Sequence, residues 1–437
     1  MSAQPSAGTP QTEQLSSPSR RRTNTIGVGI AIAIAIILLL VGIAAGYFVY
    51  PAANPKGKAA STTISLTETG SSLLYPLFNS YWFPNYTALA GPTVVLSATS
   101  SGSGAGQSGA ETGTVNIGAS DAYLANASAT SLINFPVAIS SQLIYYNLPG
   151  ALAHEHLNLN GTMMAEIYEG TITTWNNPLI LGAQNSTVQA QLNALSSQTI
   201  YPVKRTDSSG DTFLFTSYCY MSWSGFTYPV STSGLSGDSI PNMQTGTGNS
   251  GVVSTIDKTA NSIGYVGISY MASADADGLQ YAALGDNLSL SASGGTTAGN
   301  YVLPTYASIS QDANLGLLQL NYGAYGLAVS LILGGSYAGA ITLVHGGGGS
   351  NPTSTSPTPY PIVNLEYTLF KTAPVSGSSV VTSTNLAATV AFMHWALSYG
   401  NYASSGSPSV WINAVGFVPL TQTVIGYDLQ ELASVST

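Results

Sequence analysis

The chain has 437 residues, of which only 6% are charged, and its nine basic and 18 acidic residues give a net charge of −9. Since an ordinary globular chain carries about 25% charged residues, the surface must be built largely from uncharged polar residues, while the 44% of hydrophobic residues allow a large core and exclude low-hydrophobicity disorder. The scarcity of Lys and Arg excludes a basic stripe for nucleic acid, and the single cysteine excludes an intrachain disulfide and a cysteine-based zinc site, so we expect no nucleic-acid partner, no metal and no cofactor.

The N-terminal part of the sequence is typical of a membrane-anchored protein. Residues 1–25, rich in Ser, Pro, Gln and Thr, predict a disordered cytoplasmic tail. Residues 26–50 contain no charge and are long enough to cross a bilayer as a helix. Three arginines at 20–22 precede this stretch and favour a cytoplasmic N-terminus, which places everything after the spacer 51–61 outside the cell membrane. A cleaved signal is the alternative, although its apolar region is normally only about 7–15 residues.

The external part is predicted to be an α/β protein. Residues 62–437 exceed one ordinary core, so we expect two lobes. Short β-rich runs alternate with helical patterns, for example 93–98 followed by 105–111. A second uncharged apolar stretch, 324–344, contains four glycines, which favours a buried helix or strand pair over a membrane span. The Gly-rich and then Ser/Thr/Pro-rich segment 345–358 predicts a surface loop.

Five Asn-x-Ser/Thr sequons lie in this external part and fit a glycoprotein of the cell surface, although several would arise by chance in a chain so rich in Asn, Ser and Thr. They begin at Asn85, Asn126, Asn160, Asn185 and Asn287.

Four short segments place small or hydroxyl residues directly before a helix-like run. A helix N-terminus leaves unpaired N–H groups and a partial positive charge, so such a segment can bind an anion without a lysine. One alone is more often a plain N-cap. However, one of the four follows Arg205, the only arginine outside 20–22. The four segments span residues 69–73, 102–106, 118–121 and 208–212.

Longer motifs around these segments carry a specific resemblance. They are ETGSSLLYPLF (68–78), GSGAG (102–106), TVNIGASDAYL (114–124), RTDSSGDTFLFTSY (205–218), GYVGI (264–268), YPIVNLEY (360–367) and HWALSYG (394–400). In content and order they resemble the phosphate-binding subunit of the phosphate ABC importer. The resemblance covers roughly residues 62–437.

The resemblance implies a type II periplasmic binding protein, in which two α/β lobes joined by two crossover strands close over phosphate. On this basis the first lobe should comprise residues 62–141 and 365–437, and the second lobe residues 142–364. The crossovers are expected near 138–144 and 360–368.

The resemblance also implies the binding residues, position by position. The first lobe would contribute Ser71, Ser72, Leu73, Ser103 and Asp121, and the second lobe Arg205, Ser209, Gly210 and Asp211, with Asp207 orienting the arginine. Three positions depart from the commonest pattern: Ser72 stands where Thr is common, Ser208 where Gly is common, and Asp211 where many members have Thr or Ser.

The chemistry of these residue types fits a protonated oxyanion. Arg205 can offer two parallel donors to an oxyanion. Asp121 would repel a bare anion but can accept a proton from phosphate, whereas sulfate carries none and would leave two acceptors facing each other. Asp211, as a second acceptor, would suit the doubly protonated monoanion that dominates in acid.

We therefore expect a receptor that delivers inorganic phosphate to the permease subunits and cytoplasmic ATPase of an ABC importer, and not an enzyme. Arg205→Ala should abolish binding while leaving the fold intact. Two alternatives are a binder of another oxyanion such as sulfate or molybdate, against which the aspartates argue, and a non-transport adhesive surface glycoprotein. The GxGxxG string at 104–109 is weak evidence for a dinucleotide site, and His154-Glu155-His156 for a metal site.

Overall fold

The structure is a computed structural model, and it describes residues 63–124, 131–235, 240–285, 301–310 and 360–437. The predicted tail, membrane anchor and spacer lie outside the described residues, as do the apolar stretch 324–344 and the loop 345–358. In the part that is described, no helix is both long enough and apolar enough to span a bilayer.

The strands form two sheets in the described part of the chain. Nine of them form the main sheet in the order β2-β1-β3-β12-β4-β8-β6-β7, with β9 also pairing with β4, and a small sheet has the order β11-β10-β5. The strands are β1 Ile64–Gly70, β2 Val94–Ser100, β3 Ile117–Ser120, β4 Leu132–Tyr146, β5 Asn158–Asn160, β6 Tyr201–Arg205, β7 Gln244–Gly246, β8 Ser262–Gly267, β9 Gln280–Tyr281, β10 Ala283–Gly285, β11 Tyr301–Val302 and β12 Val363–Lys371.

The long strand β4 connects two lobes. Its residues up to Ser141 pair with β12, and its residues from Gln142 onward pair with β8. We call β1, β2, β3, β12 and the first part of β4 the first lobe, and β6, β7, β8, β9 and the rest of β4 the second lobe. The second connection between the lobes is the chain that leads into β12. It lies beside β4, where the Gln142 N–H donates a hydrogen bond to the Ile362 carbonyl (3.1 Å). The chain is thus a two-lobed α/β protein, and the predicted residue boundaries of its lobes stay a prediction.

Burial explains why the central strands form where they do. Every residue of β3 and β8 is buried, and so is nearly every residue of β4 and β12. Sheets covered by helices on both faces require such continuous runs, and helices cover this sheet. β1 alternates instead between buried and partly exposed residues towards its C-terminal end, as expected nearer a sheet edge.

The helices pack around these strands and begin mostly at uncharged polar caps. Asn160 and Asn185 are two such caps, because their side chains accept hydrogen bonds from the N–H groups of Met163 and Val188. Asn160 is also buried, so its sequon is not available for a glycan. The α-helices in the described ranges are α1 Phe83–Ala90, α2 Ser103–Thr112, α3 Gly161–Tyr168, α4 Pro178–Gly182, α5 Ser186–Asn193, α6 Gly210–Ser222, α7 Gly248–Lys258, α8 Met271–Ala276, α9 Ser383–Trp395, α10 Val410–Ala414 and α11 Gln422–Ala433.

Candidate functional site

The predicted site residues lie where strands end and helices begin. Arg205 is the last residue of β6, and Asp121 directly follows β3. Ser71 follows β1, Ser103 is the first residue of α2, and Ser209 is the N-cap of α6. In open α/β sheets ligands bind beyond the carboxyl ends of the strands, so this is the expected place for a site.

Two carboxylates hold the guanidinium of Arg205. Its Nε donates to Asp207 Oδ1 at 2.8 Å, one terminal nitrogen bonds Asp207 Oδ2, and the other donates to Asp211 Oδ2 at 2.7 Å. The arginine side chain is only 1% exposed. Since a guanidinium has five N–H groups and three are used here, one N–H remains on each terminal nitrogen. Asp207 therefore pairs with the arginine that it was predicted to orient.

Arg205 lowers the pKa of Asp207, and Asp207 raises the pKa of Arg205. Burial works to raise the pKa of Asp207, but the hydrogen bonds and charge of Arg205, with the N–H of Gly248 at 3.0 Å, outweigh it and lower that pKa. Burial also works to lower the pKa of Arg205, but the two aspartates raise it above its ordinary value. Both groups are therefore ionised across the ordinary pH range.

Asp211 is fully buried and accepts hydrogen bonds from three side chains. Its Oδ2 accepts hydrogen bonds from Arg205 and from Nδ2 of Asn249, the latter at 2.7 Å. Its Oδ1 accepts a hydrogen bond from Nε2 of Gln142 at 3.2 Å. Burial and the negative charge of Asp121 raise the pKa of Asp211 to about 6, against the opposing effect of these three donors. Asp211 therefore titrates in mildly acidic solution.

Asp121, from the first lobe, is held by two serines. One carboxylate oxygen accepts from the Ser71 hydroxyl, and the other accepts from Ser103 Oγ at 3.2 Å. The backbone N–H of Asp121 donates to the same Ser103 Oγ at 3.1 Å. Burial raises the pKa of Asp121, although Glu366, Ser71, Arg205 and Ser103 oppose this rise. Asp121 is therefore a buried hydrogen-bond acceptor.

Glu366, on β12, is a second buried carboxyl beside Asp121. Its Oε1 accepts from Ser140 Oγ at 2.5 Å and from Asn364 Nδ2 at 3.0 Å. Among the described residues, its Oε2 receives no hydrogen bond. Burial first, and then the charge of Asp121, raise the pKa of Glu366 well above its ordinary value. This shift favours the protonated form of Glu366, which can donate a hydrogen bond to Asp121.

The two lobes meet across this site. Ser72 Oγ of the first lobe accepts hydrogen bonds from Asn249 of the second lobe. Ser269 Oγ donates to the Leu73 carbonyl at 2.7 Å, and Gly104 N–H donates to the Ser208 carbonyl at 3.0 Å. These contacts describe a closed arrangement of the lobes.

Glycines allow the close approach. A Cβ on Gly210 would overlap the Cβ of Asp121, so only glycine lets the start of α6 lie against that carboxylate. A Cβ on Gly104 would overlap Ser208 Oγ, which explains how a serine is accommodated at position 208. Gly104 and Gly106 lie in α2, where Gly106 packs against the backbone of Ala119. The GxGxxG string thus serves close packing of helix, strand and opposite lobe.

A family model described as a PBP superfamily domain matches residues 56–398. The chain belongs to the PBP superfamily.

Relatives within the PBP superfamily confirm the resemblance inferred from the motifs. A phosphate-binding protein PstS from Xylella fastidiosa is 30% identical over 223 residues, which are 50% of this chain and 57% of that protein. A PstS from Haemophilus influenzae is 34% identical over 212 residues, which are 47% of this chain and 59% of that protein. The chain thus spans less than two thirds of the length of these curated relatives.

Solved structures of the PBP superfamily show the same fold. A phosphate-binding protein from Stenotrophomonas maltophilia superposes with a TM-score of 0.55 over 84% of this chain and 93% of that chain, at 17% identity. A human phosphate-binding apolipoprotein superposes with a TM-score of 0.55 over 83% of this chain and 93% of that chain, also at 17% identity. Identity at this level supports the two-lobed fold alone.

Reasoning from the sequence missed three residues of the candidate site: Gln142, Asn249 and Glu366. Asn249 follows a Thr-Gly pair at the start of α7, which is the same pattern of small and hydroxyl residues that marked the other four segments. Gln142 and Glu366 are polar residues inside otherwise apolar buried strands, and that contrast was the available signal.

The segment His154-Glu155-His156 gave only weak sequence evidence for a metal site. His154 ends a short 3-10 turn, and His156 Nδ1 lies 2.8 Å from the Tyr281 carbonyl oxygen. Across the described ranges, no group of three or more His, Cys, Asp or Glu side chains is arranged to hold a metal ion.

Proposed function

We propose that this protein is an extracytoplasmic solute-binding protein that captures inorganic phosphate and delivers it to an ABC importer. One observation carries the proposal: a buried arginine, already balanced by Asp207, lies with two buried aspartates, Asp121 and Asp211, where the two lobes meet. Two carboxylates in an anion site can only accept hydrogen bonds, so they favour an anion that carries protons and can donate hydrogen bonds to them. Relatives in the superfamily that are named phosphate-binding proteins support this identification.

Donors for phosphate oxygens come from both lobes. The proposed donor set comprises the hydroxyls of Ser72 and Ser209, the N–H groups of Leu73, Gly210 and Asp211, and the two remaining N–H groups of Arg205. The hydroxyls of Ser71 and Ser103 donate to Asp121 in this arrangement, so they would donate to phosphate only after turning away from that carboxylate. The start of α6 adds the partial positive charge of a helix N-terminus.

The two aspartates are the proposed acceptors and the source of selectivity. Asp121 and Asp211 would each accept a hydrogen bond from a P–OH group. Sulfate has no proton in this range, so it would face both carboxylates as acceptor against acceptor, a buried mismatch that costs several kcal/mol at about 1–3 kcal/mol or more for each unsatisfied group. Discrimination against molybdate follows from the same mismatch.

Ligand capture requires the lobes to open and close. In the closed arrangement Ser72 of the first lobe contacts Asn249 of the second, so a ligand enters only when these segments separate. The two connections through β4 and β12 are short and continuous, which suits a hinge motion of a few residues. Closure would remove water from phosphate and strengthen each hydrogen bond to it.

The remaining parts of the proposal follow from the superfamily and from the sequence. The protein would be a binding protein rather than an enzyme, and its partners would be the permease subunits and the cytoplasmic ATPase of an importer. Residues 26–50 would anchor it in the cell membrane with the binding lobes outside. Glycosylation would be confined to the exposed sequons such as Asn85 and Asn185.

Calorimetric titration of the full chain with phosphate, sulfate and molybdate tests the proposal. We expect phosphate to bind at least about 100-fold more tightly than sulfate, since two mismatched acceptors cost ~3 kcal/mol or more. Asp121→Asn should reduce this ratio, because an amide can donate to sulfate. Asp277→Asn, an exposed position at the end of α8, is the matched control and should leave the ratio unchanged. Equal affinity for phosphate and sulfate would contradict the role of the aspartates, and sulfate or molybdate binding alone would support the alternative oxyanion.

A further inference from the structure

Asn249, the second residue of α7, is completely buried and fully engaged in hydrogen bonding. Its backbone N–H donates to Ser72 Oγ at 3.1 Å, and its Nδ2 donates to the same oxygen at 2.9 Å. Nδ2 also donates to Asp211 Oδ2 at 2.7 Å, while Oδ1 accepts from Gly267 N–H at 2.8 Å. The N–H of Gly267 requires an oxygen opposite it, so the orientation of the amide is determined.

These contacts determine what the hydroxyl of Ser72 can do. A serine hydroxyl has two lone pairs and one proton. Both lone pairs receive N–H groups of Asn249, so the oxygen has no capacity left as an acceptor. Among the described residues the Ser72 hydroxyl donates to no acceptor, and its proton is therefore left for a ligand. Asn249 thus makes Ser72 a donor only, which is the state that an oxyanion needs.

The same amide acts on Asp211. Hydrogen bonds from Asn249, Arg205 and Gln142 all favour the ionised carboxylate, whereas burial and Asp121 favour its protonated form. Loss of one donor would shift this balance towards the protonated form, which would present a donor where the P–OH group needs an acceptor. The ionisable groups that face Asp211 are Asp121, Arg205, Tyr265 and Tyr270.

Asn249 also joins the two lobes. Ser72 follows β1 in the first lobe, while Asp211 and Gly267 belong to the second lobe. The bonds to Asp211 and Gly267 lie within one lobe and can persist when the lobes separate. The bonds to Ser72 form only when the lobes meet, so the donor state of Ser72 is set by closure itself.

We propose that Asn249 is a positioning residue of the binding site, which on closure makes Ser72 a pure donor and keeps Asp211 an acceptor, and so couples lobe closure to the choice of a protonated phosphate. This inference rests on the proposed function. Asn249 need not touch the ligand, since it acts through Ser72 and Asp211.

A double-mutant cycle in phosphate affinity tests this role. Asn249→Ala and Ser72→Ala should each weaken phosphate binding by about tenfold, in line with the loss of a hydrogen bond to a charged ligand. If Asn249 acts through Ser72, the double variant should lose clearly less than the product of the two single effects. Fully multiplicative losses in the cycle would overturn the proposal.

Asn249→Asp supplies a second readout that a merely structural role would not change. The new carboxylate replaces two donors by acceptors next to Ser72 and Asp211, so phosphate affinity relative to the unchanged protein should be at least about tenfold lower at pH 7.5. This deficit should shrink at pH 5, where the new carboxylate takes up a proton. Asn401→Asp is the matched control, because Asn401 is also fully buried, donates to the Val137 and Ala396 carbonyls and accepts from Leu420 N–H. It should lower stability without changing the pH profile of binding.

The outcomes separate this inference from the proposed function. If the unchanged protein binds phosphate and both Asn249 variants retain its affinity and pH profile, the inference is wrong and the proposed function stands. If the unchanged protein binds no phosphate, both are wrong. Should Asn249→Asp fail to fold, as shown by circular dichroism, the cycle with Asn249→Ala still decides.

Discussion

The buried carboxylate of Asp211 predicts a pH dependence of stability that one isosteric substitution should remove. Asp211→Asn keeps the shape of the side chain and eliminates its charge. In the folded protein, burial and the neighbouring Asp121 raise the pKa of Asp211 from the ordinary 3.8 to about 6, against the effects of Arg205, Asn249 and Gln142. The folded state therefore binds more protons at this site than the unfolded state between those two pH values.

The sign and size of the effect follow from this difference. Stability contributed by protonated Asp211 is fully present below about pH 3.8 and is lost as the pH rises through about 6. A difference of roughly two pKa units, at about 1.4 kcal/mol each, corresponds to about 3 kcal/mol. Relative to Asp211→Asn, the unchanged protein should therefore lose about 3 kcal/mol in free energy of unfolding between pH 3.5 and pH 7.

Urea unfolding of both proteins, at several pH values in phosphate-free buffer, measures this quantity. Groups that titrate alike in both proteins contribute equally to the two free energies of unfolding, so their contributions cancel in the difference. Asp207 is one of them, and its lowered pKa changes stability with pH in the opposite direction. A difference between the unchanged protein and Asp211→Asn that stays constant from pH 3.5 to pH 7 would refute the assigned burial and charge effects.

Two further substitutions test the buried charges. Arg205→Ala should abolish phosphate binding and also lower the free energy of unfolding by about 3–5 kcal/mol at pH 7 in urea titrations, because it leaves Asp207 and Asp211 without their cation; normal stability would show that these pairs contribute little. Glu366→Gln should change the free energy of unfolding by less than about 1 kcal/mol at pH 7, since the raised pKa favours the protonated carboxyl and the amide can still donate to Asp121. A loss of several kcal/mol would mean that Glu366 is ionised.

The structure modifies one expectation drawn from the sequence. From the sequence we expect Arg205→Ala to remove binding and leave the fold intact. The arginine's three hydrogen bonds to buried carboxylates also make it part of what stabilises the second lobe. A milder change for binding studies is therefore one of the serines, such as Ser103, rather than the arginine.

Local patterns predicted those parts of the site that are local in the chain. Hydroxyl and glycine residues before a helix identify a helix N-terminus from a few adjacent residues, and the motif order supplied the two lobes and the pairing of Arg205 with Asp207 two residues later. Asn249 could not be predicted from local patterns, because its partner Ser72 lies 177 residues away in the chain. Glu366 could not be predicted either, because it acts on Asp121, and the two residues are brought together only by the pairing of β12 with β3.

The distribution of charge around Arg205 refines the proposed mechanism of selection. Asp207 is ionised and pairs with two nitrogens of the arginine, so this pair carries little net positive charge towards a ligand. Asp121 and Asp211 then add negative charge. An anion entering such a site cannot rely on long-range attraction, and its binding must come from neutral hydroxyl and amide donors at short range and from its own protons. In the proposed mechanism each aspartate accepts a hydrogen bond from a P–OH group, so the protons of phosphate would contribute to binding as well as to selectivity.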